Sequence, residues 1–478
     1  MPTPTQALTD SSIQNLLFEN VYPVLQQAIN IRSVEKSMLN VEKRPISGKY
    51  WRVDEVIGGN FRYEGRPEGG YLPGKNPSAQ LQDQSATLLT MEMRFKRRLM
   101  YSSVEFTGPM DNAPRTSDGG FDKLSALVME QTVNAFPEMI SSKLARGNLG
   151  IKGEVLSVSG NIVTLIPANG ATYTTAATSR PWAGNRFFRE GDVCDIVINT
   201  ASAAVPTGAL RTGTNDKGRR VVSMSRDGAP STVTFQDLSS TNIAQGDLLV
   251  TTGERQDAAI STSTDYESGL YGGYGIMDAI QDGTDGVYSL AYYGNVQVST
   301  QRLLQSFKIT NTNNTALTVD MCNQLISQMF NDSLGGQDPD FIYCTMDVYR
   351  TFAKGFTTFA ASGASTNLAR WTNPGKGFTP TVGVSGIEVN NIGTSGSKKF
   401  MVSPFAPHYR AYFIRKDSLM ILSDLELGVM SNDGLKLRQV PGTDMWAVDY
   451  KAYESGVVCL KPARNGYIVG LTGDHNNA

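Results

Sequence analysis

The chain has 478 residues, of which 40% are hydrophobic and 18% charged, and its formal net charge is −2. This length exceeds one ordinary hydrophobic core, so two to four domains or sub-domains are expected. The near-zero net charge excludes binding of nucleic acid through the overall charge, although local basic patches stay open. No apolar run approaches the ~20 residues that span a bilayer, and no signal sequence is visible, so we expect no membrane association.

Turn-forming residues and cysteines indicate the fold class and the compartment. The 47 glycines, with many Ser, Thr and Asn residues, favour short strands joined by turns over a helical bundle. Cys194, Cys322, Cys344 and Cys459 have no paired spacing. We therefore expect a β-rich protein with buried, reduced thiols in a cytoplasm.

The first 40 residues contain apolar residues at helical spacing, interrupted by Pro23, which predicts one or two short helices in an N-terminal arm. These apolar residues are Ile13, Leu16, Leu17, Val21, Val24, Leu25 and Ile29.

Two β-like segments, 50–63 and 86–106, follow the arm. In the second segment Leu89, Met91, Met93 and Phe95 lie two apart, as in a strand with one covered face. Between the two segments, "FRYEGRPEGGYLPGKNPSA" is rich in charges and turn formers. The pattern predicts a long hairpin with an irregular, charged tip. The candidate contact residues of this tip are Arg62, Glu64, Arg66, Glu68 and Lys75.

Apolar residues at i, i+3, i+4 spacing predict a long helix over about 121–146, bent at Pro137. Residues 151–255 then lose helix formers and contain an internal repeat. "GEVLSVSGNIVTL" with "FREGDVCDIV" resembles "RRVVSMSRDGAPSTVTF" with "IAQGDLLVTTG". A duplicated unit of this kind predicts a small β-barrel or sandwich in which the copies pair.

The remaining sequence alternates helices and strands. Thr318 and Thr345 can each cap a helix, and the strand "DFIYC" lies between these helices. A Gly/Ser/Asn-rich loop is expected over 355–380, followed by several strands and a long closing pair in "WAVDYKAYESGVVCLKPARNGYIVGL". Segregated helices and strands around an all-β insertion make the expected class α+β.

Catalytic and cofactor motifs are not apparent. The two histidines, His408 and His475, have no ligand spacing around them, and His408 is expected at a surface or interface. "DGTDG" at 282–286 predicts a turn and not a calcium loop, and "GLYGGYG" at 269–275 lacks the spacing of a dinucleotide site. We expect no catalytic residue, no metal, no cofactor and no enzymatic activity.

One basic cluster, Arg94, Lys96, Arg97 and Arg98, lies in the second hairpin strand. A solvated or salt-bridged strand face explains it most simply. Contact with nucleic acid or with the acidic groups of a neighbouring subunit stays open.

The order of these elements resembles the Hong Kong 97-type major capsid protein of tailed phages. An arm, a long hairpin, a long helix and an α+β region follow one another, and "QVPGTDMWAVDYKAYESGVVCLKPARNGYIVGL" resembles the family's long final strands. The implied fold is α+β: an N-arm, an extended hairpin loop, a spine helix with long strands and an axial domain, plus an inserted all-β domain. The implied division is 1–47 N-terminal arm, 48–106 extended hairpin loop, 107–150 spine helix and peripheral domain, 151–255 inserted repeat domain, 256–310 return to the peripheral domain, 311–430 axial domain and 431–478 closing long strands.

The resemblance implies a structural protein that self-assembles into hexamers and pentamers of an icosahedral shell around double-stranded DNA. The implied partners are other copies of the chain, a separate scaffolding protein, a portal, a decoration or cement protein, and packaged DNA held by non-specific contact. The implied location is the virion, after assembly in the host cytoplasm. Lys75 lies in the loop that carries a crosslinking lysine in the founding member, but no motif identifies its partners, and no catalytic residue is carried over. The alternatives are a bacterial nanocompartment shell and a phage tail or baseplate protein.

Overall fold

The structure is a computed structural model that describes part of the chain. The described residues are 33–46, 48–59, 88–107, 138–146, 150–166, 184–198, 217–225, 231–238, 243–254, 272–284, 290, 292–313, 315–331, 338–361, 388–389, 398–429, 438–439 and 445–472. These residues form several sheets and a few helices. The expected mixed α+β class is confirmed.

Strands β2 (Tyr50–Gly59) and β3 (Leu88–Lys96) form an antiparallel two-stranded sheet. Trp51 pairs with Phe95 and Val53 with Met93, and these four side chains are buried. The period of two in the sequence thus marks the covered face of this sheet.

The segment expected as one strand over 86–106 is instead two strands in different sheets. Strand β3 ends at Lys96, Arg97 donates its N–H to the Lys49 carbonyl (3.0 Å), and β4 (Arg98–Thr107) begins directly after it. Strand β4 pairs antiparallel with β20 (Met445–Cys459), from Thr107 opposite Met445 to Arg98 opposite Glu454. The break falls where the pairing partner changes from a sequence neighbour to a strand about 350 residues away, which local periodicity does not encode.

Strand β20 is the centre of a five-stranded long sheet. Its order is β1 (Asn40–Lys43), β18 (Leu419–Val429), β20 and β19 (Arg438–Gln439), with β4 also paired to β20. Strand β1 runs parallel to β18, and β18 runs antiparallel to β20 with three register shifts. The long sheet therefore joins two early segments of the chain, β1 and β4, to three segments near its end, β18, β19 and β20.

A second large sheet has six strands. Its order is β13 (Phe307–Thr310), β21 (Gly466–Val469), β17 (Arg410–Ile414), β14 (Phe341–Cys344), β16 (Lys398–Val402) and β15 (Glu388–Val389). Alternate residues face two cores: Ile342 and Cys344 pack with the helix residues, and Phe341 and Tyr343 pack into the main core. This alternation is what a strand covered on both faces requires.

Two helices cover one face of the six-stranded sheet. Helix α4 (Val319–Asn331) buries Cys322, Leu325, Ile326 and Met329, and α5 (Met346–Ala361) follows β14 directly. The expected caps are confirmed: Met321 N–H donates to the Thr318 hydroxyl (3.2 Å) and Val348 N–H to the Thr345 hydroxyl (3.5 Å).

Helix α5 continues to Ala361, so the expectation of a loop from residue 355 is wrong for 355–361. Phe352 is buried against Phe400, with ring centroids 5.0 Å apart, and this contact anchors the helix to the sheet. The glycine at 355 lowers helix stability by only about 1 kcal/mol, which packing of this kind overrides.

The expected closing segment forms two strands, β20 and the short β21 (Gly466–Val469), which belong to different sheets. Strand β20 crosses the long sheet, whereas β21 lies between β13 and β17. A short 3₁₀ turn at Pro462–Arg464 separates them. The buried Asn465 side chain fixes this turn, since it accepts from Arg415 N–H (2.8 Å) and donates to the Ser418 hydroxyl (2.9 Å).

Residues 151–251 contain a closed β-barrel with the order β10-β5-β6-β9-β8-β7. Its strands are β5 (Ile151–Ser159), β6 (Ile162–Leu165), β7 (Val193–Val197), β8 (Arg219–Met224), β9 (Thr232–Phe235) and β10 (Leu248–Thr251). The first three strands come from the first copy of the sequence repeat and the last three from the second. Exchanging the copies leaves the strand order unchanged, as expected for a barrel built from a duplicated unit.

The barrel meets the rest of the chain at a cluster that we call the barrel root: Lys143, Arg146, Lys152, Asp192 and Glu254. Lys143 Nζ lies 3.2 Å from Glu254 Oε1, and Lys152 Nζ lies 2.6 Å from Asp192 Oδ2. Arg146 Nη1 donates to the Gly150 carbonyl (3.0 Å) and to the Thr251 hydroxyl (3.3 Å). A cluster of paired, mostly buried charges thus fixes the barrel to helix α2 (138–145).

Short elements complete the described part. They are α1 (Val34–Met38), α3 (Ile276–Ala279), the hairpin β11 (Tyr292–Tyr293) and β12 (Val296–Gln297), and the 3₁₀ turns Val298–Thr300, Arg302–Leu304 and Lys416–Ser418. Residues 1–32 of the expected arm and 121–137 of the expected long helix lie outside the described residues. Within the described ranges, no helix is both long and apolar enough to cross a membrane.

Candidate interaction surface

The expected contact residues of the hairpin tip are not among the described residues. Arg62, Glu64, Arg66, Glu68 and Lys75 all fall in 60–87, between β2 and β3. Their contact role therefore stays a prediction.

The hairpin base, by which we mean Arg52, Glu92 and Arg94, presents charges to solvent on the face opposite Trp51 and Phe95. Glu92 Oε1 lies 3.0 Å from Arg94 Nε and 3.4 Å from Arg52 Nε. The hydrogen bond from Arg94 lowers the pKa of Glu92, and the charge of Arg52 adds to this effect. The hairpin base is therefore a solvated, salt-bridged strand face.

The basic cluster predicted from the sequence is divided between solvent and the protein interior. Arg94 is exposed in the hairpin base, whereas Lys96 is buried. Arg98 is only 2% exposed, and its guanidinium lies 5.9 Å from the Tyr274 ring centroid. Arg94 and Arg97 are therefore the members of this cluster that are accessible to solvent.

Arg97 lies at the step from β3 to β4 and faces a second charged residue and an aromatic ring. Its Nη1 is 3.7 Å from Asp424 Oδ2, and its guanidinium lies 5.2 Å from the Tyr453 ring centroid. Lys451 Nζ approaches the same ring at 5.7 Å. Two cations therefore flank Tyr453 on the surface of the long sheet, as aromatic rings favour.

Large apolar side chains surround this ring on the same face of the long sheet. Leu99 and Leu425 are both register partners of Tyr453, and Tyr101 is the partner of Lys451, so they share its face. Leu99 is 49% exposed, Tyr101 59% and Leu425 37%. We call Leu99, Tyr101, Leu425 and Tyr453 the aromatic face.

The aromatic face is an exposed apolar patch on an ordered sheet, rimmed by charges. Exposure of such apolar groups to water is unfavourable, and covering them with another surface would remove this cost. This surface was not predicted from the sequence. The available signal was the spacing of two residues between Leu99 and Tyr101, but the partner residues come from β18 and β20, more than 300 residues away.

The described residues provide no cluster suited to catalysis or metal binding. Within those ranges, no group of three or more His, Cys, Asp or Glu side chains could hold a metal ion. The expectation of a surface His408 is wrong: it is 5% exposed, and its ring packs 5.7 Å from that of Tyr409. Strand β17 begins two residues later, at Arg410, and lies between β21 and β14 in the six-stranded sheet. His408 is buried because it lies next to this interior strand. His475 lies outside the described residues.

The remaining candidate groups have structural roles. Asp282 of the "DGTDG" stretch accepts hydrogen bonds from Thr284 N–H (2.9 Å) and from the Tyr467 hydroxyl (2.7 Å), as in a turn. All four cysteines are buried and none is paired with another. Burial raises the pKa of Cys194 and of Cys459 to about 12, so these thiols stay protonated and unreactive near neutral pH.

Comparison with known proteins gives structural matches only. No protein-family model matches the chain, and no curated protein matches it in sequence. The capsid asymmetric unit of cyanophage A-1(L) aligns at 10% identity and a TM-score of 0.47, covering 92% of this chain and 93% of that chain. Mycobacterium phage Adephagia aligns at 9% identity and a TM-score of 0.35, covering 91% and 89%.

An encapsulin from Synechococcus elongatus aligns at 8% identity and a TM-score of 0.37, covering 98% of this chain and 92% of that chain. The matched chains thus come from phage structures and from an encapsulin. At identities of 10% or less and TM-scores below 0.5, these matches assign neither a family nor a function to this chain.

Proposed function

We propose that this chain is a major capsid protein, a structural subunit that self-assembles into hexamers and pentamers of an icosahedral shell enclosing phage double-stranded DNA. The observation that carries the proposal is the aromatic face. Leu99 and Tyr101 are exposed on the strand that directly continues the β2–β3 hairpin. A neighbouring subunit would cover this patch, and burying it would favour association at about 25 cal/mol per Å² of apolar area.

The hairpin tip is the second part of the proposed contact. Arg62, Glu64, Arg66, Glu68 and Lys75 would pair with charges on an adjacent copy and fix its register. A single exposed ion pair contributes only about 0–1 kcal/mol. Repetition over a closed shell makes such weak contacts cooperative, because every subunit touches several neighbours.

The roles of the barrel, of the basic residues and of partner proteins in this proposal rest on the resemblance of the sequence to the Hong Kong 97-type family. The barrel would be a domain inserted into a Hong Kong 97-type fold, bounded at about 151–255, and would brace neighbours or bind a decoration protein. Arg94 and Arg97 would contact acidic groups of a neighbour or packaged DNA. A scaffolding protein and a portal would complete assembly in the host cytoplasm, and the mature location would be the virion.

Electron microscopy of the full chain, purified and co-expressed with a scaffolding candidate, tests the proposal. Closed shells that contain DNA are expected. Shells filled with an enzyme cargo would instead favour a nanocompartment, and rods would favour a tail protein. Discrete small oligomers under all assembly conditions would overturn the proposal.

The tip contact has its own test. Arg66→Glu combined with Lys75→Glu is expected to reduce shell yield or to lower the temperature at which shells dissociate, because two attractive contacts per subunit become repulsive. Shell yield and thermal dissociation of the variant and the parent chain are compared by light scattering. Normal assembly with unchanged resistance to heat and denaturant would show that the tip is not part of the interface.

A further inference from the structure

Helix α1 carries a carboxyl group that the proposed shell contacts do not use. Glu35 is fully buried between α1 and the six-stranded sheet. The Tyr343 hydroxyl donates to Glu35 Oε1 (2.7 Å), and the Ser403 hydroxyl donates to the same oxygen. Glu35 Oε2 has no hydrogen-bond partner among the described residues. Such an oxygen is costly to bury while the group is charged.

The same junction holds the start of α1 against a second element. Ser33 caps α1, with its hydroxyl accepting from Lys36 N–H at 3.2 Å. The Ser141 hydroxyl of α2 donates to that Ser33 hydroxyl at 2.8 Å, within the buried interface. Helix α1 is thus docked between α2 and the six-stranded sheet.

No cation is paired with Glu35 in the described hydrogen bonds and ion pairs. Strand β14 presents Tyr343, whose pKa is raised well above its usual value by burial and then by the charge of Glu35, so it stays neutral. Helix α2 presents Ser141, and the segment after β16 presents Ser403. A cation also acts on this junction: Arg186 of the barrel segment lowers the pKa of Tyr343 and donates to the Pro404 carbonyl (3.1 Å).

Burial raises the pKa of Glu35 above its ordinary value of 4.5, against smaller lowering effects of Ser403, Tyr343, its own backbone and Ser141. The docked state therefore holds the proton more tightly than a state in which α1 is released into water.

We propose that Glu35 is a protonation-dependent latch: the neutral carboxyl keeps α1 docked on the six-stranded sheet, and its ionisation favours release of α1. Docking is strongest below the ordinary carboxyl pKa and weakens as the pH rises through the raised value. One proton is linked to each release event. The release equilibrium therefore changes by up to about tenfold per pH unit within that window.

Hydrogen exchange of the full-length chain, corrected for the intrinsic pH dependence of amide exchange, tests the latch. In the parent chain, the protection of amides in 33–43 is expected to fall as the pH rises above 4.5, the ordinary pKa of a glutamate carboxyl. Glu35→Gln is expected to abolish this pH dependence, because the amide does not ionise. Glu42→Gln is the matched control, since Glu42 is exposed on β1 beside Arg44 (2.8 Å) and its loss removes the same charge.

A second variant keeps the test decisive if Glu35→Gln does not fold. Tyr343→Phe removes one donor to the charged carboxylate, so protection should continue to fall to a higher pH than in the parent chain. Protection of 33–43 that is independent of pH in the parent chain would overturn the proposal. So would a Glu35→Gln chain that keeps the parent's pH dependence, or a Tyr343→Phe chain whose transition does not move.

Discussion

The barrel root and the hairpin base each combine several charges, yet their environments differ. At the barrel root, Lys143, Arg146 and Lys152 surround Glu254 and Asp192 in a largely buried interface. At the hairpin base, Arg52 and Arg94 share Glu92 in solvent. Salt bridges of similar length therefore differ in what their removal costs, because only the buried partners lose access to water.

The barrel root and the hairpin base also differ in what they connect. The barrel root fixes two elements to one another within a subunit, and Gly150 lets them approach closely. Its φ of +105° favours glycine, and a Cβ there would lie 1.7 Å from Glu254 Oε2. The hairpin base keeps its charges in contact with water, and each of its side chains is at least one-third exposed.

The largest expected effect is at the barrel root. Glu254→Gln leaves the cations of Lys143, Arg146 and Lys152 without this counter-charge, and we expect a loss of about 3 kcal/mol in the free energy of unfolding. Urea unfolding followed by circular dichroism measures the change. Glu92→Gln is the matched control at the exposed joint. Equal unfolding midpoints for the two variants would contradict the expectation that the barrel root contributes more to stability than the hairpin base.

Acid provides a second test of the same joint. Burial raises the pKa of Glu254, but Lys143, Arg146 and Lys152 together outweigh that effect, so the pKa is lowered. The stability that Glu254 contributes is therefore present above the ordinary carboxyl pKa and is lost as the pH falls through the lowered value. The difference in stability between the parent chain and Glu254→Gln should shrink between pH 5 and pH 3. A constant difference over this range would argue against an ionised Glu254.

The aromatic face should affect assembly more than folding. Tyr101→Asp changes an exposed side chain, so the free energy of unfolding of the isolated subunit should stay within about 1 kcal/mol of the parent value. Shell formation, measured by sedimentation, should be strongly reduced, because a charge would be buried in the proposed contact. Thr310→Asp, at an exposed position on the outer strand β13, serves as the control. Normal assembly of Tyr101→Asp would place the interface elsewhere.

The smallest effect is expected at the hairpin base. Glu92→Gln removes an exposed carboxylate whose partners Arg52 and Arg94 are solvated, so the unfolding midpoint should not move measurably at physiological salt. A clear destabilisation, insensitive to added salt, would show that this joint behaves like the barrel root.

Local patterns predicted elements that depend on neighbours in the sequence. Thr318 and Thr345 marked two helix starts because a hydroxyl can satisfy the free N–H groups of the first turn. The covered face of β3 was evident from the alternation of Met91, Met93 and Phe95, and all three are buried.

Strand pairing and burial that involve residues remote in sequence were decided by the tertiary structure. The sequence alone determined the α+β class, the starts of α4 and α5, and the repeat whose strands form the barrel. It did not separate β3 from β4 at Arg97, nor assign β20 and β21 to different sheets, because these assignments depend on strands that are remote in sequence. For the same reason the burial of Arg98 and His408 and the exposure of Leu99 and Tyr101 became evident only from the fold. Burial is a property of what packs against a residue, and period-two alternation states only which residues share a face.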